Sequence, residues 1–358
     1  SLCSANLEEP TIGANSDTQA TDYFNTVLFT GGSGDVNVPV PFKPDWVWLK
    51  ARSHSQNHGV GDSNRGGEKF LSTSRTASEG NDVNELHFTD DGFTSNTDWH
   101  TNNYTYVAWN WKAGGSPSTI AVDSVSSGVP SIASSVSANT DAGFSIVTYT
   151  GSGSNATVGH GLSNSPDVII AKARTNGDSY WLTYHSGLGN NTHYMALNTT
   201  GAVDTGGAAV WNSTSPTSSV FSVGTSTWIN PNGGTMLAYC FHSVEGYSKF
   251  GSYTGTGVAN GPFVYLGFRP AFIMTKNYSS AGGSWGIYDN TRNPSNTGGT
   301  LMLRANAPDT DYFHATYTPI DFLSNGFKIR NTGAEDNSAQ SYIYMAFAEA
   351  PFKYANAR

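Results

Sequence analysis

Charged residues are scarce in this sequence, and cysteine is almost absent. Asp, Glu, Lys and Arg make up 13% of the 358 residues, and the formal net charge is −9. Because no run of Lys and Arg occurs, we expect no nucleic-acid partner and no attraction to an anionic membrane surface. The two cysteines, Cys3 and Cys240, are expected to be free thiols without a redox role.

Long apolar runs and catalytic fingerprints are missing too. No stretch approaches the roughly 20 apolar residues of a membrane-spanning helix, so we expect no membrane insertion. No basic-then-apolar signal peptide opens the sequence. It contains no G-x-S-x-G, P-loop or dinucleotide-binding motif, and we expect no cofactor.

Turn-forming and aromatic residues are abundant instead. The chain has 40 glycines, and aromatic residues reach 13%. Short apolar stretches alternate with turns, which is typical of an all-β chain. The stretch 45–50 (D-W-V-W-L-K) is apolar on both faces, the pattern of a buried central strand.

One spacing occurs three times along the chain. A Thr-Gly pair precedes a Pro by about fifteen residues, and a Lys follows that Pro by six. The copies are Thr30-Gly31, Pro44 and Lys50; Thr150-Gly151, Pro166 and Lys172; and Thr254-Gly255, Pro270 and Lys276. Such internal repetition predicts three tandem β-sandwich units, jelly-roll-like, of about 100 residues each.

The predicted boundaries follow from composition. Residues 1–20 form an N-terminal arm or linker, and 116–141 form a Ser- and Val-rich linker that could lay one strand along a neighbour. The β-sandwich units are 21–115, 142–250 and 251–358. Each unit ends on an aromatic or Met residue, an aliphatic residue, Ala and an aromatic residue, at 106–109, 236–239 and 344–347.

Six longer motifs carry a resemblance to a known family. They are Y-V-A-W-N-W-K-A-G-G (106–115), G-F-S-I-V-T-Y-T-G (143–151), V-E-G-Y-S-K-F-G-S-Y-T-G (244–255), G-P-F-V-Y-L-G-F-R-P-A-F-I-M-T-K (261–276), I-D-F-L-S-N-G-F-K-I-R (320–330) and Y-M-A-F-A-E-A-P-F-K-Y-A-N-A-R (344–358). The chain from about residue 21 to 358 resembles an uncharacterised tandem-repeat domain of virion proteins from tailed bacteriophages, common in phages of marine bacteria. Such proteins are described as tail-fibre-like or structural, and the domain has no catalytic residues to transfer.

Few residues point to chemistry. His54 and His58 have an i, i+4 spacing, but that spacing converges on a metal only in a helix, and they lie in a polar loop. A glycanase needs two carboxylates about 5–9.5 Å apart, and Glu349 is the main carboxylate in an apolar strand. We therefore predict no metal site and no catalytic residues, so that the chain is not an enzyme.

The binding candidates are aromatic and charged. Trp99, Trp211 and Trp228 lie in predicted loops near Asn- and Thr-rich turns, where contacts with a glycan are plausible. The D-x-x-R pairs Asp62/Arg65 and Asp289/Arg292 occupy equivalent places in two units. Their repetition favours an internal ion pair or turn lock over a binding site.

The resemblance implies a structural protein on the surface of the phage particle, and two functions stay open. The first is a tail fibre or receptor-binding adhesin, with a homotrimer favoured, that contacts a host surface glycan or protein. The second is a head fibre, capsid decoration or collar protein that binds other virion proteins without host recognition. An envelope glycan depolymerase is a remote third.

Overall fold

The structure, a computed structural model, describes residue 12 and residues 18–81, 86–296, 300–314, 319–333 and 335–349. Nearly all regular structure in these residues is β, which confirms the predicted all-β class. The helical segments of the described chain are α1, Ala208–Trp211, and two 3-10 turns, Ala20–Asp22 and Ser186–Leu188. No described helix is long and apolar enough to cross a membrane.

The strands are short and follow one another closely. Up to residue 115 they are β1 (Phe24–Thr30), β2 (Val36–Pro39), β3 (Trp46–Ala51), β4 (Gly59–Asp62), β5 (Lys69–Phe70), β6 (Gly80–Asn81), β7 (His87–Thr89), β8 (Gly92–Ser95) and β9 (Thr105–Trp111). From 116 to 247 they are β10 (Ser118–Ile120), β11 (Ser134–Asn139), β12 (Phe144–Thr150), β13 (Ala156–Gly159), β14 (Val168–Ala173), β15 (Leu182–His185), β16 (Met195–Ala196), β17 (Val220–Val223) and β18 (Thr235–Phe241). From 248 onward they are β19 (Ser248–Thr254), β20 (Phe263–Tyr265), β21 (Pro270–Asn277), β22 (Gly286–Asp289), β23 (Thr300–Arg304), β24 (Tyr312–His314), β25 (Ile320–Leu323), β26 (Gly326–Ile329) and β27 (Ser341–Ala348).

Three large antiparallel sheets contain four strands in one shared order. We call these the first set (β1-β9-β3-β4), the second set (β12-β18-β14-β15) and the third set (β19-β27-β21-β22). Each order places the strand that comes last in sequence (β9, β18 or β27) between two earlier strands, which are β1 and β3, β12 and β14, or β19 and β21. The division of the chain near residues 115, 142 and 250 stays a prediction, whereas the shared order is a property of the described sheets.

Each set packs one face against a smaller sheet. In the first set, Val47 and Leu49 point toward the sheet β2-β8-β7 and share a core with Val38 and Phe93. Side chains alternate between faces along a strand, so Trp46 and its neighbour two residues on point the other way. This is the arrangement of a β-sandwich.

The opposite faces of the three sets meet in one shared core. Trp46 of the first set stacks on Tyr239 of the second, with ring centroids 4.2 Å apart. Phe347 of the third set contacts Trp111 at 5.6 Å and Phe241 at 5.9 Å. The sequence suggests sandwiches in tandem, but their outer faces carry rings too large and apolar to lie in water. Burying them draws the three sets together.

The pairing register corrects the alignment of the third set. Trp111 and Phe241 lie opposite Trp46 and Val168, and Phe347 is the residue opposite Phe272. Phe347 therefore corresponds to Trp111, not to Trp109 as the Ala-aromatic motif predicts. A slip of two residues keeps every side chain on its own face, so a period-2 pattern does not reveal it.

The stretch 116–141 is more ordered than its composition suggests. Strands β10 and β11 lie within it, and β11 pairs with β12 over the register Ser134↔Tyr149 to Asn139↔Phe144. The predicted linker therefore extends the second sheet. Of the predicted arm, Ile12 is buried, while residues 1–11, with Cys3, and 13–17 lie outside the described residues.

Backbone hydrogen bonds between loops beside the sets join the three sets in a ring. Glu79 N–H donates to Arg174 O between the first and second sets, at 2.8 Å. Val203 N–H donates to Tyr278 O between the second and third, at 2.8 Å. Asp311 N–H donates to Arg52 O between the third and first, at 3.0 Å, which closes the ring.

Candidate functional site

The structure places the three candidate tryptophans in different environments. Trp99 and Trp211 are buried, at 6% and 2% exposure, which corrects the prediction that they are exposed loop aromatics. Trp211 ends helix α1 and packs on Tyr184, with ring centroids 6.0 Å apart. Trp228 is 37% exposed and meets Tyr180 edge-on at 4.9 Å. The three do not form one site.

Two glycines of strand β4 make room for Trp99. A Cβ atom on Gly59 would lie 3.0 Å from Cζ3 of Trp99, and one on Gly61 would lie 3.1 Å from Cη2. The indole therefore rests against bare backbone. At the corresponding positions the second set has Leu182 and Tyr184 and the third has Gly286 and Tyr288, so among the three sets the pair of glycines occurs in the first.

A cleft of about 240 Å³ opens beside Trp99. Three aromatic side chains contribute to its wall, Phe70, Trp99 and Tyr106. The other lining residues are Leu49, Ala51, Gln56, Asn57, His58, Gly59, Ser72, Arg75 and Asp98. The cleft, called here the Trp99 cleft, thus combines an aromatic side with amide, hydroxyl, carboxylate and guanidinium groups.

Hydrogen bonds hold the polar rim in place. Tyr106 Oη donates to Gln56 Oε1 at 3.2 Å and accepts from the backbone N–H of Thr101 at 2.8 Å. Ser74 Oγ donates to Asn57 Oδ1 at 3.0 Å. The two rim amides are therefore oriented before any ligand arrives, which lowers the entropic cost of binding one.

His58 closes the inner end of the cleft as a neutral ring. Trp48 Nε1 donates to His58 Nδ1 at 2.8 Å, and His58 Nε2 lies 2.8 Å from the carbonyl oxygen of Arg304. A carbonyl only accepts, so Nε2 carries the proton and Nδ1 does not. Burial, reinforced by the nearby charge of Lys50, holds the pKa of His58 well below its usual value.

His54 and His58 do not form a metal site together. His54 stacks on Tyr104, with ring centroids 3.9 Å apart, while both nitrogens of His58 are engaged as above. Among the described residues, no group of three or more His, Cys, Asp or Glu side chains is placed to hold a metal ion. Cys240 is a buried free thiol, and burial raises the pKa of its thiol.

The repeated D-x-x-R pairs are internal ion pairs. Arg65 Nε donates to Asp62 Oδ2 at 2.6 Å, and the backbone N–H of Arg65 donates to Asp62 Oδ1 at 2.9 Å. Arg292 and Asp289 repeat both contacts, at 2.6 Å and 2.8 Å. All four side chains are fully buried. This confirms the prediction of an ion pair that locks a turn.

All three repeated lysines are buried, and two of them bind across a junction of the ring. Lys50 Nζ donates to the carbonyls of Ala51 and, across the first–third junction, Pro308, at 2.6 and 3.3 Å. Lys172 Nζ donates to Thr76 O at 3.0 Å across the first–second junction. Burial lowers the pKa of Lys50, Lys172 and Lys276 to about 8. Lys50 and Lys172 thus help to join the sheets, whereas Lys276 Nζ donates to the carbonyl of its neighbour Asn277, at 2.6 Å.

Two acidic side chains, the candidate Glu349 and the buried Asp336, also have partners within the fold. Glu349 pairs with Arg269 at 2.7 Å. Asp336 is buried and accepts from Tyr288 and Thr275, both at 2.8 Å. Burial raises the pKa of Asp336 to about 6, although these hydrogen bonds act in the opposite direction.

Sequence reasoning found Trp99 but missed the rest of the cleft. The signal was the G-V-G stretch of β4, which has two glycines where the second set has Leu182 and Tyr184 and the third has Gly286 and Tyr288. Glycine inside a strand often marks a close approach by another group. Here that group is the indole of Trp99, forty residues further along the chain from Gly59.

Comparison with known proteins finds a similarity to a solved enzyme structure. No curated protein matches the chain at the sequence level. A solved β-porphyranase of glycoside hydrolase family 86, from the human gut bacterium Bacteroides plebeius, is similar at a TM-score of 0.14 and 10% identity. The match covers 61% of this chain and 37% of that one.

Because the matched protein is an enzyme, the expectation that this chain is not an enzyme is withdrawn. A TM-score of 0.14 carries no argument for a shared fold or reaction.

The family assignment rests on a match over most of the chain. The profile of a family described as a domain of unknown function, DUF7483, matches residues 19–351. That span includes all three sets and the Trp99 cleft. The chain therefore belongs to the DUF7483 family.

Proposed function

We propose that the chain is a structural protein on the surface of a tailed-phage particle, and that it acts there as a tail fibre or receptor-binding adhesin. The observation that best supports the proposal is the closed ring of three sheets around one aromatic core. A body whose described sheets are joined to one another at three junctions suits a protein that must persist outside a cell. The six motifs that resemble phage virion proteins support a location on the phage particle.

The Trp99 cleft favours the adhesin over a purely architectural role. A head fibre, decoration or collar protein needs contacts with other virion proteins only, and a ligand-sized cleft adds nothing to such contacts. An adhesin needs a surface that reads a host molecule. The oriented amides of Gln56 and Asn57 beside an aromatic wall are suited to reading a small polar one.

Labelling of the intact particle tests this function. Cryo-electron microscopy would locate an antibody against the folded chain, and host adsorption would be measured with and without that antibody. We expect density at the tail tip and loss of adsorption. Density on the capsid or collar with unchanged adsorption would replace the adhesin with a decoration protein, and absence from the particle would overturn the proposal.

A further inference from the structure

We infer that the Trp99 cleft binds one ring of a neutral saccharide. This inference deepens the attachment function proposed above and rests on it for its biological setting, since the surface that an adhesin meets on a bacterium is rich in glycans. The cleft itself is argued from its size, its lining, its charge and its rigidity.

The size of the cleft selects a compact ligand. Pockets for drug-sized molecules measure roughly 300–1,000 Å³, whereas the Trp99 cleft measures about 240 Å³. One six-membered sugar ring is of that order, and a longer glycan would extend from the open side. The cleft therefore fits a single sugar unit of a chain.

The lining has the mixed character of a sugar ring. A pyranose has faces of C–H groups and an edge of hydroxyls. Phe70, which is half-buried, and the 6% of Trp99 that stays exposed offer aromatic carbon to such a face, while Tyr106 lies buried behind them. Asn57, Arg75 and Asp98 are exposed at the cleft and supply both donors and acceptors for hydroxyls. A purely apolar ligand would make no hydrogen bonds to these groups.

The charge of the lining favours a neutral sugar over an acidic one. Its charged members are one guanidinium, Arg75, and one carboxylate, Asp98, and their charges cancel. His58 is held neutral by its two hydrogen bonds. A glycan with a carboxylate or sulfate would meet a single cation with an acid beside it.

The cleft is rigid because it lies against the ring junction. The backbone N–H of Gln56 donates to Pro308 O at 3.0 Å, and Arg52 pairs with Asp311 at 2.7 Å. The segment that carries Gln56 and Asn57 is thus held by the third set. A site that is already ordered gives measurable affinity with few contacts.

Saturation-transfer NMR on the purified full chain tests the site. The probes are the methyl glycosides of glucose, galactose, mannose and N-acetylglucosamine, each at millimolar concentration, with methyl glucuronide as the acidic comparison. We expect at least one neutral glycoside to receive saturation. The variant Asn57→Ala/Arg75→Ala/Asp98→Ala should reduce that transfer at least tenfold, and exposed positions outside the cleft provide the control Asp35→Ala/Asp141→Ala.

Every outcome decides the inference. It is overturned by no transfer to any neutral glycoside, by transfer that the cleft variant leaves intact, or by stronger binding of the glucuronide. If the cleft variant and the control unfold at the same temperature, loss of the fold is not the cause of the reduced saturation transfer. Particle labelling is independent of this result: sugar binding without a place on the virion would keep the site and remove the proposed function, and the reverse result would remove only the site.

Discussion

Arg65 and Arg174 bind the same carboxylate. Glu79 Oε2 accepts from Arg65 Nη1 at 2.8 Å and from Arg174 Nε at 2.9 Å, so one acid bridges the first and second sets. Asp311 plays the same part between Arg292 and Arg52 at the first–third junction. Two of the three junctions of the ring therefore carry a shared carboxylate.

Loss of Arg65 should destabilise the whole fold. Arg65→Met leaves the fully buried carboxylate of Asp62 without its cation. Removing one partner of a buried ion pair costs about 3–5 kcal/mol, which urea denaturation measures as a lower midpoint. The matched control is Arg330→Met, because the Arg330 side chain is 46% exposed in its pair with Asp321. Equal midpoints for the two variants would contradict the ionic lock.

Acid should weaken the fold through its buried histidines. His160 and His185 each donate from Nε2 to a carbonyl and accept a backbone N–H at Nδ1, so both are neutral. Burial lowers the pKa of each to about 4, from 6.5. Above pH 6.5 their stabilisation is fully present. As pH falls from 6.5 toward 4, the unfolded chain takes up the protons first and the stabilisation is lost.

The size of this effect follows from the pKa difference. Between pH 6.5 and pH 5 the contribution of each of these histidines to the free energy of unfolding falls by about 2 kcal/mol. Asp336, with its pKa raised to about 6, acts in the opposite direction over the same range. Urea unfolding at pH 7.5 and pH 5.0 should show a net loss of stability, and His185→Asn should reduce that loss. A stability that rises toward pH 5 would refute this account.

Damage to the shared core should spread to all three sets. Phe347→Ala removes a fully buried ring that contacts both other sets, which costs about 3–5 kcal/mol. Hydrogen exchange should then rise in β9 and β18 as well as in β27. Phe263→Ala is the control, because Phe263 is 45% exposed on the edge strand β20. Faster exchange confined to residues 248–348 would show that the third set unfolds alone.

A methyl group in β4 should disturb Trp99. Gly59→Ala puts Cβ 3.0 Å from the indole, which must move by a few tenths of an ångström. Overpacking of this kind costs about 1–3 kcal/mol, and tryptophan fluorescence should change as the ring shifts. Gly34→Ala, where nothing lies within 4 Å of the added Cβ, is the control. An unchanged fluorescence spectrum and unfolding midpoint for Gly59→Ala would mean that Trp99 does not need a glycine at position 59.

Repeated spacings were the most informative part of the sequence. The Lys that follows each Pro, and the paired Asp and Arg, recur because each occupies the same place in a set, and the structure buries them. The all-β class follows from short apolar stretches between turns. Local patterns predict these features because turns, strand periods and i, i+3 ion pairs are made by residues close in sequence.

Long-range packing could not be predicted from the sequence, and the reason is physical. The apolar stretch 45–50 predicts a strand buried on both faces, but not which sheets cover the faces that carry Trp46 and Val47. Trp211 sits in a four-residue helix, too short to leave a periodic pattern, and is buried against the second set. The Trp99 cleft depends on glycines forty residues earlier and on a loop of the third set. Such contacts are set by the assembled sheets.

Ring closure also has a consequence for synthesis. The last junction joins Arg52 to Asp311, residues separated by 259 positions, so a ribosome must release most of the chain before the two can meet. Until then Trp111 lacks Phe272 and Phe347, the rings of the third set that contact it. A growing chain with such bare aromatic surface is prone to aggregation. Expression yield should therefore depend on protection of the nascent chain by chaperones.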